Sequence, residues 1–110
     1  MLNIQSRKSF FGVVLDEMVR ARFITEAERE IAQLQEWMAQ KDHETGVYYV
    51  RRRAFDSAII YFQDVVANYP NTPRARDAYL RLAEAFSAIR YREDAREVCT
   101  TLRAKYHRAR

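Results

Sequence analysis

His43-Glu44 opens the pattern HExxH, in which two histidines one helical turn apart hold zinc and the glutamate acts as base. Position 47 is Val47, so the second ligand is missing. The other histidine, His107, is isolated, and a zinc site needs three or four ligands. Cys99 is the single thiol and cannot form an internal disulfide. No Ser/His/Asp or Cys/His set has a supporting context, and no Gly-rich loop is present to cradle a phosphate. These residues predict neither an enzyme nor a metal or cofactor site. What remains is chemistry of recognition. Arg51-Arg52-Arg53 is the densest run of charge. Cations suit the C-terminal end of a helix, where the macrodipole is negative. They also suit a patch that docks acidic groups of a partner. Tyr48 and Tyr61 either anchor an interface, as exposed tyrosines often do, or pack beneath a neighbouring helix.

The elements that position these residues follow from composition. The chain has 110 residues, 48% hydrophobic and 31% charged, with two glycines and two prolines. So little punctuation favours long helices joined by short turns. Net charge is +4 and the pI is about 9.5. The excess is spread over both halves and interleaved with acids, which argues against a nucleic-acid stripe. No run of about 18 apolar residues exists to span a membrane. Met1 to Ser9 lacks the basic start, apolar run and cleavage site of a secretory signal. The expectation is therefore either a cytosolic protein or a piece of a longer secreted one.

Apolar periodicity predicts a first helix over 9–20, with Phe11, Val14, Leu15, Met18 and Val19 on one stripe and Phe10 and Val13 widening it. Thr25-Glu26-Ala27-Glu28 fits a capping box, which predicts a new start at Thr25 and a long helix over 25–53. Ala27, Ile31, Leu34 and Met38 line its face, with Trp37 at the edge of the core. Asp56 is the expected N-cap of a helix over 56–69 that buries Ala58, Ile59, Phe62, Val65 and Val66. Tyr69-Pro70-Asn71-Thr72-Pro73 is the clearest breaker, with Thr72 as cap and Pro73 at the first helical position. A helix over 73–89 buries Ala78, Tyr79, Leu82, Ala83 and Phe86. A last helix over 92–106 buries Ala95, Val98, Cys99, Leu102 and Tyr106, and residues 108–110 fray. The inward position of Cys99 predicts a buried structural thiol.

Gly46, Tyr49, Ala58, Phe62 and Pro70 are separated by 3, 9, 4 and 8 residues. That is the small–aromatic–Ala–aromatic–Pro skeleton of a tetratricopeptide repeat. A shift of 37 residues carries Gly46 to Ala83, Tyr49 to Phe86, Ala58 to Ala95 and Phe62 to Cys99. The small residues at 46 and 83 are expected to face Ala58 and Ala95 and let paired helices approach. The fold expected is all-α: about two tetratricopeptide-like repeats and a preceding helix in a right-handed superhelical stack. Residues 1–24 are expected to be the remnant of an earlier repeat, and 25–110 the repeat domain.

Residues 46–72 resemble the fourth repeat of the BamD family, lipoproteins of the outer-membrane β-barrel assembly machine. Residues 77–86 resemble the fifth, and 26–40 are similar to the long helix that joins the third and fourth. The resemblance covers roughly residues 25–107. It implies a non-enzymatic scaffold at the periplasmic face of the outer membrane. Its partners would be the last POTRA domain of the barrel subunit and the accessory lipoproteins. The lipid-bearing cysteine and the first repeats, the part associated with unfolded substrate, are absent from this chain. The family usually has glycine where this chain has Arg53 and often where it has Arg90, so both turns are expected to be reshaped. Some members carry a basic residue at the barrel-subunit contact, where this chain has Tyr61. Two other readings remain: a coordinator of the Tol–Pal envelope system, or a cytosolic adaptor binding a peptide in its groove. A first helix without its partner repeat is also expected to self-associate weakly through 9–20.

Overall fold

Helix α1 runs Ile4–Arg51, α2 Phe55–Asn68, α3 Pro73–Ala88 and α4 Arg92–Tyr106. The computed structural model describes residues 4–107, with side chains over 11–107; the Phe10 side chain and residues 108–110 lie outside the described residues. The fold is all-α, with α2 packed on α3 and α3 on α4, the order of a tetratricopeptide-like stack.

The two helices expected over 9–20 and 25–53 are one. The Thr25 hydroxyl donates to the Ala21 carbonyl at 3.0 Å, and Glu26 pairs with Arg22 at 3.5 Å. Thr25, the supposed N-cap, is thus bonded back one turn within a continuous helix, as Ser and Thr can be. Compact packing groups the chain into two units that meet between Gln33 and Leu34. The N-terminal unit by itself is helix, and Phe11, Val14, Leu15, Met18, Val19 and Phe23 are exposed on it.

In the larger unit, α1 turns Ala39, His43 and Gly46 into the core, at spacings of four and three. Met38 and Trp37 lie one and two residues off that line, rotated by about 100° and 200°. Trp37 is therefore 68% exposed, and Leu34 and Met38 are exposed with it. Expecting Trp37 at the edge of the core joined two stripes that occupy different faces. Ala58, Ile59, Phe62 and Val65 of α2 and Ala75, Ala78, Tyr79, Leu82, Ala85 and Phe86 of α3 are buried. From α4 only Ala95 is. Cys99, Val98, Leu102 and Tyr106 are half-buried, because α4 is covered on the side that meets α3 and its Glu93, Arg96, Glu97 and Thr100 face solvent. The thiol is thus not sealed in the core as expected.

At Gly46, α1 comes tight against α2. A Cβ there would stand 2.7 Å from Phe62 Cε1 and Cζ. Its nearest neighbour is this ring, not Ala58 as the repeat alignment suggested. Phe62 is fully buried and meets His43 edge-on, with ring centroids 5.3 Å apart, so it has little room to yield. The equivalent Ala83 is half-buried. Pro70 is exposed and acts by ending α2, not by packing. Asp56 lies inside the first turn of α2, one position beyond its start, and complements the dipole without capping. Thr72 has the backbone of an N-cap, but its hydroxyl donates to the Tyr69 carbonyl at 2.8 Å, so α3 starts without a side-chain cap and with Pro73, which has no N–H to satisfy, at its first position.

The two arginine turns keep the glycine geometry. Arg53 and Arg90 sit at φ 60° and 68°. At the first, Arg53 N–H donates to Val50 O at 2.9 Å and Ala54 N–H to Tyr49 O at 2.9 Å. At the second, Arg90 N–H donates to Ser87 O at 3.0 Å and Tyr91 N–H to Phe86 O at 2.8 Å. Both are Schellman closures, which satisfy the last helical carbonyls and bring an apolar residue back onto the helix. Phe86 and Tyr91 provide that contact, stacked at 11° with centroids 6.3 Å apart. The expected reshaping is absent because these bonds hold the left-handed residue in place.

Two outcomes follow. Gly46→Ala gains up to about 1 kcal/mol of helix propensity but overpacks a buried ring, which costs about 1–3 kcal/mol. The net expectation is a loss of about 1–2 kcal/mol in urea unfolding, reduced in the Phe62→Leu background; a neutral Gly46→Ala would show that the ring yields. Arg90→Gly relieves a left-handed side chain costing about 1–2 kcal/mol, offset by the entropy of glycine. It should stabilise the chain by about 0.5–1 kcal/mol, whereas Arg90→Ala should not; equal gains from both would point to the side chain and not to φ.

Candidate protein-docking surface

The end of α1 carries a connected cluster of rings and charge. The Arg52 guanidinium carbon stands 3.7 Å above the centroid of the Tyr48 ring. Tyr48 meets Tyr49 edge-on at 5.2 Å and 84°. Tyr49 stacks on Tyr61 of α2 at 5.6 Å and 17°. The helix makes the first contact inevitable, since residues four apart share a face. The α1–α2 packing makes the last, because Tyr49 leans on the core and carries Tyr61 with it.

The sequence-predicted site residues separate on this framework. Tyr48 is 48% exposed and Tyr61 half-buried, so the pair splits between the two roles left open for it: Tyr48 presents a face to solvent and Tyr61 buttresses Tyr49. Arg51, Arg52 and Arg53 are all exposed. Arg51 closes the last turn of α1, Arg52 lies on Tyr48, and Arg53 forms the left-handed turn. Among the described residues the ion pairs are Arg22–Glu26 and Arg81–Glu84, neither of which engages this run. A guanidinium held flat on a ring keeps its N–H edge free and has less conformational freedom to lose on meeting a carboxylate. Among the described residues no group of three or more His, Cys, Asp or Glu side chains is placed to hold a metal. No described helix is long and apolar enough to cross a membrane.

Two features escaped the sequence reading. The Tyr48–Arg52 contact has a legible signal, aromatic and cation at i and i+4. His43 has none: it falls in a polar stretch, yet only 7% of it is exposed, and its Nε2 is buried without a partner.

The comparisons with known proteins agree with this architecture. Residues 4–102 match the family described as YfiO, outer membrane lipoprotein. The chain is 30% identical over 94 residues to the outer membrane protein assembly factor BamD of Xylella fastidiosa strain Temecula1, covering 83% of this chain and 32% of that protein. It is 28% identical over 94 residues to the factor of the same name from strain 9a5c, with the same coverage. The chain thus spans about a third of the length of these relatives. With residues 4–102 of its length matched, the chain belongs to the YfiO family of outer membrane lipoproteins.

Proposed function

We propose that this chain is a non-enzymatic protein–protein interaction scaffold of outer-membrane β-barrel assembly, working at the periplasmic face of the outer membrane. The observation that supports it most is the exposed Tyr48–Arg52 stack beside Arg51 and Arg53, with no described carboxylate to satisfy the three guanidiniums. Tyr and Arg are the residue types that dominate binding hot spots. The partner that fits is an acidic protein surface: the last POTRA domain of the barrel subunit, with accessory lipoproteins as further partners. Family membership favours this over a Tol–Pal coordinator or a cytosolic peptide adaptor. Tyr61 takes a supporting part through Tyr49 and supplies no charge.

The exposed apolar residues of the first unit carry a second proposal. Phe11, Val14, Leu15 and Met18 recur every three to four residues on α1, and a contiguous exposed apolar patch marks a contact surface. When no other partner covers this face, the chain self-associates weakly through 9–20.

Calorimetric titration with that POTRA domain at two salt concentrations tests the first reading. Binding should weaken with salt and on Arg51→Glu with Arg52→Glu, and Tyr48→Ala should cost about 1–2 kcal/mol of affinity. Absent binding, or binding indifferent to all three residues, would overturn it. For the second, light scattering should give a mass that rises with concentration and returns to the monomer in Leu15→Glu with Met18→Glu. A wild-type monomer at every concentration would refute it.

A further inference from the structure

The turn between α3 and α4 repeats the composition of the turn between α1 and α2. Tyr49 and Phe86 are 37 residues apart, as are Arg53 and Arg90. At the first turn Tyr49 meets the exposed Tyr48 edge-on, with the left-handed Arg53 and the exposed Arg51 and Arg52 around them. At the second, the buried Phe86 carries Tyr91, which is stacked on it and 55% exposed. Tyr91 stands between the left-handed Arg90 and Arg92, both exposed. The Tyr49–Tyr61 and His43–Phe62 contacts run antiparallel between α1 and α2, and Phe86–Tyr91 and Tyr79–Tyr106 do so between α3 and α4. Residues 69–72 reverse the chain between α2 and α3, which pack together. The Arg53 and Arg90 turns therefore lie at one end of the stack and the 69–72 turn at the other. Neighbouring helices pack about 8–10 Å apart, so the two arginine turns stand within about 20 Å of each other.

We propose that this end of the stack is one continuous docking edge, on which Arg90, Tyr91 and Arg92 form a second anchor for the same acidic protein surface that meets Tyr48 and Arg51 to Arg53. The second anchor rests on the docking function proposed above and extends it by one repeat. Arginine is in excess at this end: Arg51, Arg52, Arg53, Arg90 and Arg92 stand against Asp56, Glu93 and Asp94. Those acids occupy the first turns of α2 and α4, where the helix dipole favours them. The ion pairs of the described residues, Arg22–Glu26 and Arg81–Glu84, involve none of these groups. Each turn also keeps an arginine in a left-handed backbone that glycine would enter without steric cost. Strain of this kind clusters at ligand clamps and other functional sites. An inner ring backs each exposed tyrosine, and Tyr and Arg are the residue types that dominate binding hot spots. A standard interface covers about 800 Å² a side, roughly 30 Å across, so one partner spans both turns.

Calorimetric titration of the whole chain with the POTRA domain proposed above, paired with urea unfolding of each variant, tests this. Arg90→Gly keeps the left-handed turn and is expected to stabilise the fold, yet it should weaken binding by about two- to fivefold, the range of one exposed ion pair. Arg90→Gly with Arg92→Gln should weaken binding by about tenfold and flatten its salt dependence, with the stoichiometry still one to one. Arg76→Gln removes an exposed arginine from the first turn of α3, at the opposite end, and should leave the affinity unchanged. If Arg51→Glu with Arg52→Glu weakens binding while Arg90→Gly with Arg92→Gln does not, the second anchor is refuted and the first docking site stands. No binding by the wild-type chain refutes both. An equal loss on Arg76→Gln would reduce the attraction to net charge and overturn the edge. So would a loss of affinity confined to variants that also unfold more easily.

Discussion

The contact between Gly46 and the Phe62 ring sets the spacing on which the rest of the larger unit depends. With any side chain at position 46 the two helices must separate or the ring must turn. The ring is fully buried and lies against His43, so a displacement there reaches α1 and α2 together. Interiors packed to crystalline density pass on such shifts and do not absorb them. The Tyr49–Tyr61 stack is a product of the same spacing. It lies three residues further along α1 and bridges the same two helices. The proposed docking surface is therefore tied to the core by geometry, about one helical turn from the Gly46–Phe62 contact.

The left-handed arginines give a second view of how the chain manages strain. Two turns 37 residues apart adopt the same closure with the same residue type, although glycine fits that backbone at no steric cost. Each turn delivers its next helix at a defined angle: Ala58 N–H bonds Ala54 O, and Ala95 N–H bonds Tyr91 O, both at 3.0 Å. The cost of each left-handed residue is of order 1 kcal/mol, comparable with one or two hydrogen bonds of the closure. The closure wins, and the junction keeps its shape. At the first junction, strain and charge coincide, since Arg53 belongs to the run that flanks the docking stack.

Much of this was legible in the residues. The repeat skeleton located α2, α3 and α4 to within one residue at each end, because Pro73, the Tyr69–Pro73 breaker and the apolar spacing all act locally. What failed was what depends on distant neighbours. Thr25 and Glu28 spell a helix start, but Thr25 lies inside a helix that runs unbroken from Ile4 to Arg51. Trp37 sits beside an apolar stripe, Ile31, Leu34 and Met38, that is itself exposed, and the line that enters the core starts at Ala39. Conversely, His43 lies in a polar stretch of α1, yet it is buried, with the Phe62 ring nineteen positions on against it. Tyr48, Tyr49, Arg52 and Tyr61, close in sequence or one repeat helix apart, do come together in one cluster. Which tyrosine faces solvent was settled only by the packing of α2.

Each helix from α2 onward rests on the helix next to it in sequence, and this has a consequence for how the architecture changes over generations. A structure in which contacts link consecutive elements behaves as a one-dimensional chain of units, each stabilised by its nearest neighbours. Loss or duplication of a helix pair then leaves the remaining interfaces intact, and an altered residue is felt one layer away and little further. The half-covered outer side of α4, with Val98, Cys99 and Leu102, has the texture of an interior that another layer would complete. Growth by accretion, pair upon pair, is the route that such a plan leaves open.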